Sequence, residues 1–163
     1  DFDFQASIDK TQIMDLATSL ARRQNWELHL GHAWTLDGEA TLRSSSYEGL
    51  PGEIVDIMVR EAERIRLGQV EELANRYVSE SERSVHMVEG APGVALPRLV
   101  DRHDVDLVVM GTVGRTGLRG LIMGNTAETI LRSVRCSVLA VKPEGFVTPV
   151  RIQRQPNRGS GEP

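Results

Sequence analysis

Glycines punctuate one stretch of this chain, VDLVVMGTVGRTGLRGLIMGNT at 105–126, where they stand at Gly111, Gly114, Gly117, Gly120 and Gly124. The run before them, Val105 to Met110, is almost uninterruptedly apolar and predicts a strand buried on both faces of a parallel sheet. After them Asn125-Thr126-Ala127-Glu128 reads as a helix start resembling a capping box, with Asn125 as cap and Glu128 three residues on. Glycines let main-chain N–H groups turn inward and approach a ligand closely. A helix start adds unpaired donors and the positive end of a dipole. A strand, a glycine loop and a helix start in that order make an anion cradle, and phosphate is the anion such cradles hold. The alternative is a loop whose glycines serve only a tight strand-to-helix crossing.

Other chemistry is harder to assemble. No glycine-lysine-serine/threonine follows the loop, so it is not a Walker A sequence, and no GxGxxG opens the first unit as a dinucleotide fingerprint would. Arg115 and Arg119 are placed to clamp phosphate oxygens or to sit solvated. His29 and His32, three apart on a strand, point to opposite faces and do not readily share a metal. His86 reads as a sheet-face residue and His103 as a surface residue at a helix end, so no set has metal-ligand spacing. Cys136 has arginines at 132 and 135 nearby, which would favour a thiolate, but it reads first as a small residue entering a strand. No Ser-His-Asp set or carboxylate pair emerges, and no base or positioned metal for a γ-phosphate can be named. The expectation is no catalytic residue and, at most, very slow ATP hydrolysis.

The elements that position the loop follow from hydrophobic period. Ile8 to Arg23 carries Ile8, Ile13, Leu16, Ala17 and Leu20 at helical spacing. Glu27 to Trp34 is a strand, and 35–52 reads as a loop. Glu53 to Val78 is a long helix whose stripe includes Ile54, Ile57, Met58, Ala62, Ile65, Val70, Leu73, Ala74 and Tyr77, with Gly68 a candidate irregularity. Ser84 to Val88 is a strand. Gly93 to His103 is a helix in which Pro97 fits the first turn or else kinks the helix. The strand 105–110, the loop, a helix from Asn125 to Val134 and a strand from Ser137 to Val141 complete the order.

Helices and strands alternating in this way predict an α/β fold, an open doubly wound parallel sheet of right-handed βαβ units. The first helix has no full strand before it, because Asp1-Phe2-Asp3-Phe4 is too short and too acidic. The expectation is a chain that begins after or within its first strand, inside a longer polypeptide, with a gap in the sheet where that strand belongs. The segment from Pro143, with Pro149, Pro156 and Pro163, is an extension, and 151–163 has the composition of disorder.

Composition narrows the class. At 163 residues the chain is of single-domain size. A net charge of −4 and a pI near 5.6 argue against a nucleic-acid partner, which would call for a basic face. No apolar run approaches membrane-spanning length and no secretory signal pattern opens the chain. A single cysteine, Cys136, precludes a disulfide within the chain.

On these residues the chain resembles the universal stress protein family. That family's nucleotide signature is a glycine, two residues, a glycine, nine residues, then a glycine followed by serine or threonine; Gly111, Gly114 and Gly124 match the spacing. The flanks DLVVMGTVGRTG and GNTAETILRSVRCSVLAVKP are similar as well, and the likeness covers 1–143, read as one domain, with 144–163 as a C-terminal extension. GTVGRTG, GNTAE and KPEGFVTPV look most like the second domain of tandem proteins of the universal stress protein E type.

The resemblance implies a Rossmann-like fold of the adenine-nucleotide α-hydrolase type, a cytoplasmic location and an adenine nucleotide, ATP or AMP, with Mg2+ held only through the phosphates. It places the adenosine-binding acid on Asp1 and the backbone facing the adenine on Ala33. It sets Gly111, Thr112, Val113, Gly114, Arg115 and Gly124 around the ribose and phosphates. One position departs from the pattern: Asn125 stands where the family's ATP binders place a hydroxyl, which comes one residue later on Thr126. Asn125 either offers its amide and N–H to phosphate or serves only as a cap. The resemblance also implies pairing along the last strand, with a second copy or with an upstream domain. Two functions from different classes follow: a nucleotide-binding regulatory module for the stress response, or a nucleotide-independent interaction protein with a structural glycine loop. An enzyme of the wider α-hydrolase group is a third, for which no catalytic set is found.

Overall fold

The computed structural model describes residues 4–36, 38–44, 50–112 and 123–142. Helix α1 (Phe4–Gln24) leads into strand β1 (Leu28–Trp34), and a short helix α2 (Glu39–Ser44) precedes the long α3 (Gly52–Asn75). A 3₁₀ turn at Glu80–Glu82 enters β2 (Arg83–Glu89), which is followed by α4 (Pro92–Arg102), β3 (Leu107–Gly111), α5 (Asn125–Ser133) and β4 (Ser137–Val141). The alternation read from the sequence is borne out throughout. Helix α2 is the exception, since glycine and serine around 35–52 mask its single turn and a half.

All strand pairing is parallel, but it falls into two pairs. β1 lies beside β2 in register Leu28 to Arg83 through Trp34 to Glu89, and β3 lies beside β4 from Leu107–Ser137 to Gly111–Val141. Among the described residues no ladder joins the two pairs. Between them lies an apolar cavity of about 210 Å3, lined in part by Leu28 and Leu30 of β1, Leu107 and Val109 of β3, and Ile13 of α1. Helix α1 bridges the gap by touching β1, β3 and β4, while α4 covers β1 and β2 and meets α5.

This arrangement corrects one expectation. β3 is half-buried along its whole length rather than buried on both faces, because one of its edges meets the cavity instead of a strand. The apolar stripe of α3 is buried only in part. Ile54, Ile57, Met58 and Ile65 remain 39–53% exposed, and the buried residues of that helix are Val55 and Ala74. Among the described residues the helix packs mainly on α2 and β2, so it buries a narrow face. Gly68 interrupts nothing, since α3 runs through it.

Close approaches explain two glycines. A Cβ on Gly93 would stand 2.9 Å from Thr129 Cγ2, so glycine there lets α4 meet α5, and one on Gly111 would stand 3.2 Å from Ile13 Cδ1, where β3 meets α1. Pro92 occupies the first helical position of α4, and Pro97, for which a first-turn and an interior place stood open, lies inside the helix and is buried. Its ring nitrogen cannot donate to the Gly93 carbonyl, so the helix runs with one backbone bond fewer.

The principal buried charge is Arg83, whose side chain is 2% exposed. Its guanidinium donates to Glu71, to Asn75 Oδ1 at 2.7 Å and to the Val78 carbonyl at 2.6 Å, joining the start of β2 to α3. Removing one partner of a fully buried pair costs roughly 3–5 kcal/mol. Because Glu71 is itself 37% exposed, Glu71→Ala is expected to lower the unfolding free energy by about 2 kcal/mol. The exposed Glu61–Arg64 pair provides the contrast, with Glu61→Ala expected to leave the urea midpoint nearly unchanged. Urea titration followed by circular dichroism measures both; equal losses would refute the buried-charge account.

Candidate functional site

The carboxyl end of β3 is where the glycine sequence begins, and Thr112 organises it. Thr112 is 1% exposed. Its N–H donates to the Val141 carbonyl at 3.2 Å, and its own carbonyl accepts the N–H of Gly124 at 2.7 Å. Its hydroxyl reaches the same Val141 carbonyl at 3.4 Å. One residue thus ties the end of β3, the end of β4 and the residue before α5.

Helix α5 begins at Asn125 with Gly124 in the cap position, φ −77° and ψ 150°, and no side chain caps it. The expected cap on Asn125 is therefore corrected. The Gly124 carbonyl takes the first helical bond, from the Glu128 N–H at 3.0 Å, so Asn125 is already the first residue of the helix. Its side chain is exposed, as is that of Thr126. Glu128 does not reach back to the helix start, because its carboxylate accepts from Arg132 at 2.7 Å. A first turn without a side-chain cap leaves the N–H groups of Asn125, Thr126 and Ala127 as the donors a bound anion would meet. By contrast, the amides of Thr112 and Gly124 are spent on protein carbonyls, so these two residues shape the junction instead of donating from the main chain.

Ala33, the expected adenine neighbour, is half-buried at the carboxyl end of β1, paired with Val88. Next to it Trp34 is 5% exposed, and its Nε1 has no acceptor among the described residues. The Arg66 guanidinium lies 5.5 Å from the Trp34 ring centroid and donates to the Thr35 carbonyl at 3.2 Å. Asp1, Val113, Gly114, Arg115 and Arg119 lie outside the described residues. Cys136 is half-buried just before β4.

The fold also brings together residues that sequence reasoning kept apart. His29 of β1, His86 of β2 and His103 at the end of α4 form one cluster, with ring centroids 4.4–5.2 Å apart. His29 Nδ1 and His86 Nε2 are 2.9 Å apart. His29 pairs in register with Ser84, and His86 is two residues further on, so both side chains stand on one face of the ladder. Only the strand register could have revealed this, since 57 residues separate the two in sequence. Burial pushes the His86 imidazole below its ordinary pKa, and the nearby His103, His29 and Arg102 push it further in the same direction.

Comparison with known proteins places these features. A family model described as the universal stress protein family matches residues 5–142. Universal stress protein E of Salmonella typhi is 41% identical over 71 residues, 44% of this chain and 22% of the relative, so the chain spans under a quarter of that protein's length. Among solved structures, hypothetical protein MJ0577 superposes with a TM-score of 0.65 at 19% identity, over 90% of this chain and 93% of that one. A universal stress protein in complex with cAMP superposes with a TM-score of 0.51 at 22% identity, over 80% and 84%. Both likenesses bear out the α/β fold. No helix among the described residues is long and apolar enough to cross a membrane.

His86 sets a pH dependence. A folded-state imidazole held below the ordinary value of about 6.5 resists a proton that the unfolded chain accepts, so it destabilises the fold as pH falls. In the presence of a chelator, unfolding free energy is expected to decrease as pH is lowered from 7 through 5. His86→Gln should flatten that decrease, as followed by urea midpoints across the range. A slope unchanged by the substitution would remove His86 from the account.

Proposed function

The chain belongs to the universal stress protein family, and we propose that it is a regulatory module binding an adenine nucleotide, ATP or AMP, at the carboxyl ends of its strands. The observation that carries this reading is the uncapped first turn of α5, set after a buried residue that ties three elements together. Nine residues long, α5 presents its positive end directly after Gly124, the third glycine of the spaced set in the sequence. The phosphates would lie on the N–H groups of Asn125, Thr126 and Ala127, with the Asn125 amide or the Thr126 hydroxyl as a further donor. Val113, Gly114 and Arg115 would complete the wall, and Asp1 and Ala33 would meet the adenosine. Ligands of open α/β sheets sit at this end, and one neighbour in fold is a universal stress protein solved with cAMP. Mg2+ would ride on the phosphates, because Glu128, the carboxylate nearest the first turn, is engaged by Arg132. Binding with regulation, and no more than very slow hydrolysis, is the function this set of donors supports.

An interaction surface is the second reading, and β4 favours it. Ser137, Leu139 and Ala140 are exposed, and among the described residues β4 pairs only with β3. A strand edge of this kind accepts a second copy or a neighbouring domain. It adds to nucleotide binding and does not compete with it.

The test is thermal unfolding with and without ATP or AMP. Nucleotide at 100 times its dissociation constant adds about 2.7 kcal/mol, a rise of roughly 5–10 °C in Tm for a chain of this size. Asn125→Asp puts a negative charge where the phosphates are expected. An acid in a first helical turn favours the helix, so the free protein should keep its Tm while the nucleotide-induced rise is lost. Gly114→Leu should also abolish the rise. An absent shift in the unaltered chain, or a full shift in Asn125→Asp, would overturn the reading. For the edge, Leu139→Lys should convert any dimer seen by sedimentation to monomer; an unchanged dimer would exclude β4 as its contact.

A further inference from the structure

We propose that His29, His86 and His103 form a binding site for a zinc ion, which would fasten β1, β2 and the end of α4 to one another. Each residue offers one ring nitrogen, and these three nitrogens lie within 4.8 Å of one another. His29 Nδ1 and His86 Nε2 are 2.9 Å apart. A tetrahedral zinc with bonds of about 2.0–2.1 Å holds its nitrogens about 3.4 Å apart. The 2.9 Å separation is below that value and the three nitrogens lie within 4.8 Å, so small rotations of the rings would admit the ion. Three imidazoles are a donor set for zinc and its transition-metal neighbours, whereas calcium and magnesium take oxygen ligands.

Features around the cluster agree with this use. Two of the ligands stand on adjacent parallel strands, on one face, and are half-buried, so the backbone ladder fixes their spacing. The Glu27 carboxylate lies 3.5 Å from Nε2 of His29, the nitrogen that does not face His86. A carboxylate on the far nitrogen orients a ligating histidine and makes the near nitrogen a better donor. His103 is exposed, so the fourth coordination position faces solvent and takes water or an outside ligand. His29 is the second residue of β1 and His103 follows α4, so the site lies at the end of the strands opposite the phosphate cradle. It stands independently of nucleotide binding.

The experiment uses the full chain, stripped with EDTA and dialysed, then titrated with Zn2+ in a calorimeter and with Co2+ in a spectrophotometer. The expected result is one equivalent of Zn2+ bound, visible d–d bands from tetrahedral Co2+, and a higher Tm with metal. His103→Ala removes an exposed ligand and should leave the metal-free Tm unchanged. It should weaken Zn2+ binding by more than the roughly 10–100-fold that loss of an outer-shell partner costs. His86→Gln should do the same, and Cys136→Ser should leave binding intact. Absence of stoichiometric binding would overturn the proposal. So would binding that survives His103→Ala and His86→Gln, or binding that Cys136→Ser removes.

Discussion

Thr112 is the residue on which the site depends. Its N–H is held by Val141 of β4 and its carbonyl holds Gly124, so both ends of the glycine segment and the last strand meet at one buried position. A buried backbone group without a partner costs as much as a lost hydrogen bond, and here each is satisfied by a different element. The consequence is a division of labour along the segment. Among the described residues, the amides of Thr112 and Gly124 are consumed by structure, and the first turn of the helix that follows keeps donors for a ligand. A helix whose first residue follows a glycine cap, with no side chain folded over its end, keeps those donors directed outward.

The parallel strands carry this junction in two separate pairs, with α1 as the bridge. Parallel pairing normally comes with both faces and both edges of the inner strands covered. Here β1 and β3 turn toward an apolar cavity of about 210 Å3, and β3 is only half-buried although its sequence is that of an inner strand. Its composition and its surroundings therefore disagree, and the cavity is the physical form of that disagreement. Close contact of Gly111 with Ile13, and of Gly93 with Thr129, ties the helices to both halves. The stability of the junction thus rests on helix contacts more than on a continuous ladder.

Much of the architecture was legible because period and punctuation agree. Ser137–Val141 is found as a strand with the bounds read from its apolar run, and α1, α3 and α4 begin or end within a few residues of their hydrophobic patterns. Helix α2 escaped because six residues give too little period to detect among glycine and serine. The cap of α5 was misplaced by one residue, since Asn125 is a good cap by type while Gly124 is the cap by conformation. Pro97, for which a first-turn and an interior place both stood open, lies in the interior, and Pro92 holds the first turn. The histidine cluster was illegible for a deeper reason. Alternation within one strand says which residues diverge, but only the register between strands says which converge. Of the anticipated nucleotide contacts, Ala33, Gly111, Thr112, Gly124, Asn125 and Thr126 fall on described residues, and those before and within the loop do not.

The most direct measurement is a titration of the 15N-labelled protein with AMP and ATP, following backbone amide resonances. The account predicts large, saturable shifts at Asn125, Thr126 and Ala127, larger with ATP than with adenosine. The amides of Thr112 and Gly124 should stay protected from hydrogen exchange with and without ligand. Shifts absent from the first turn of α5, or concentrated elsewhere on the protein, would contradict it.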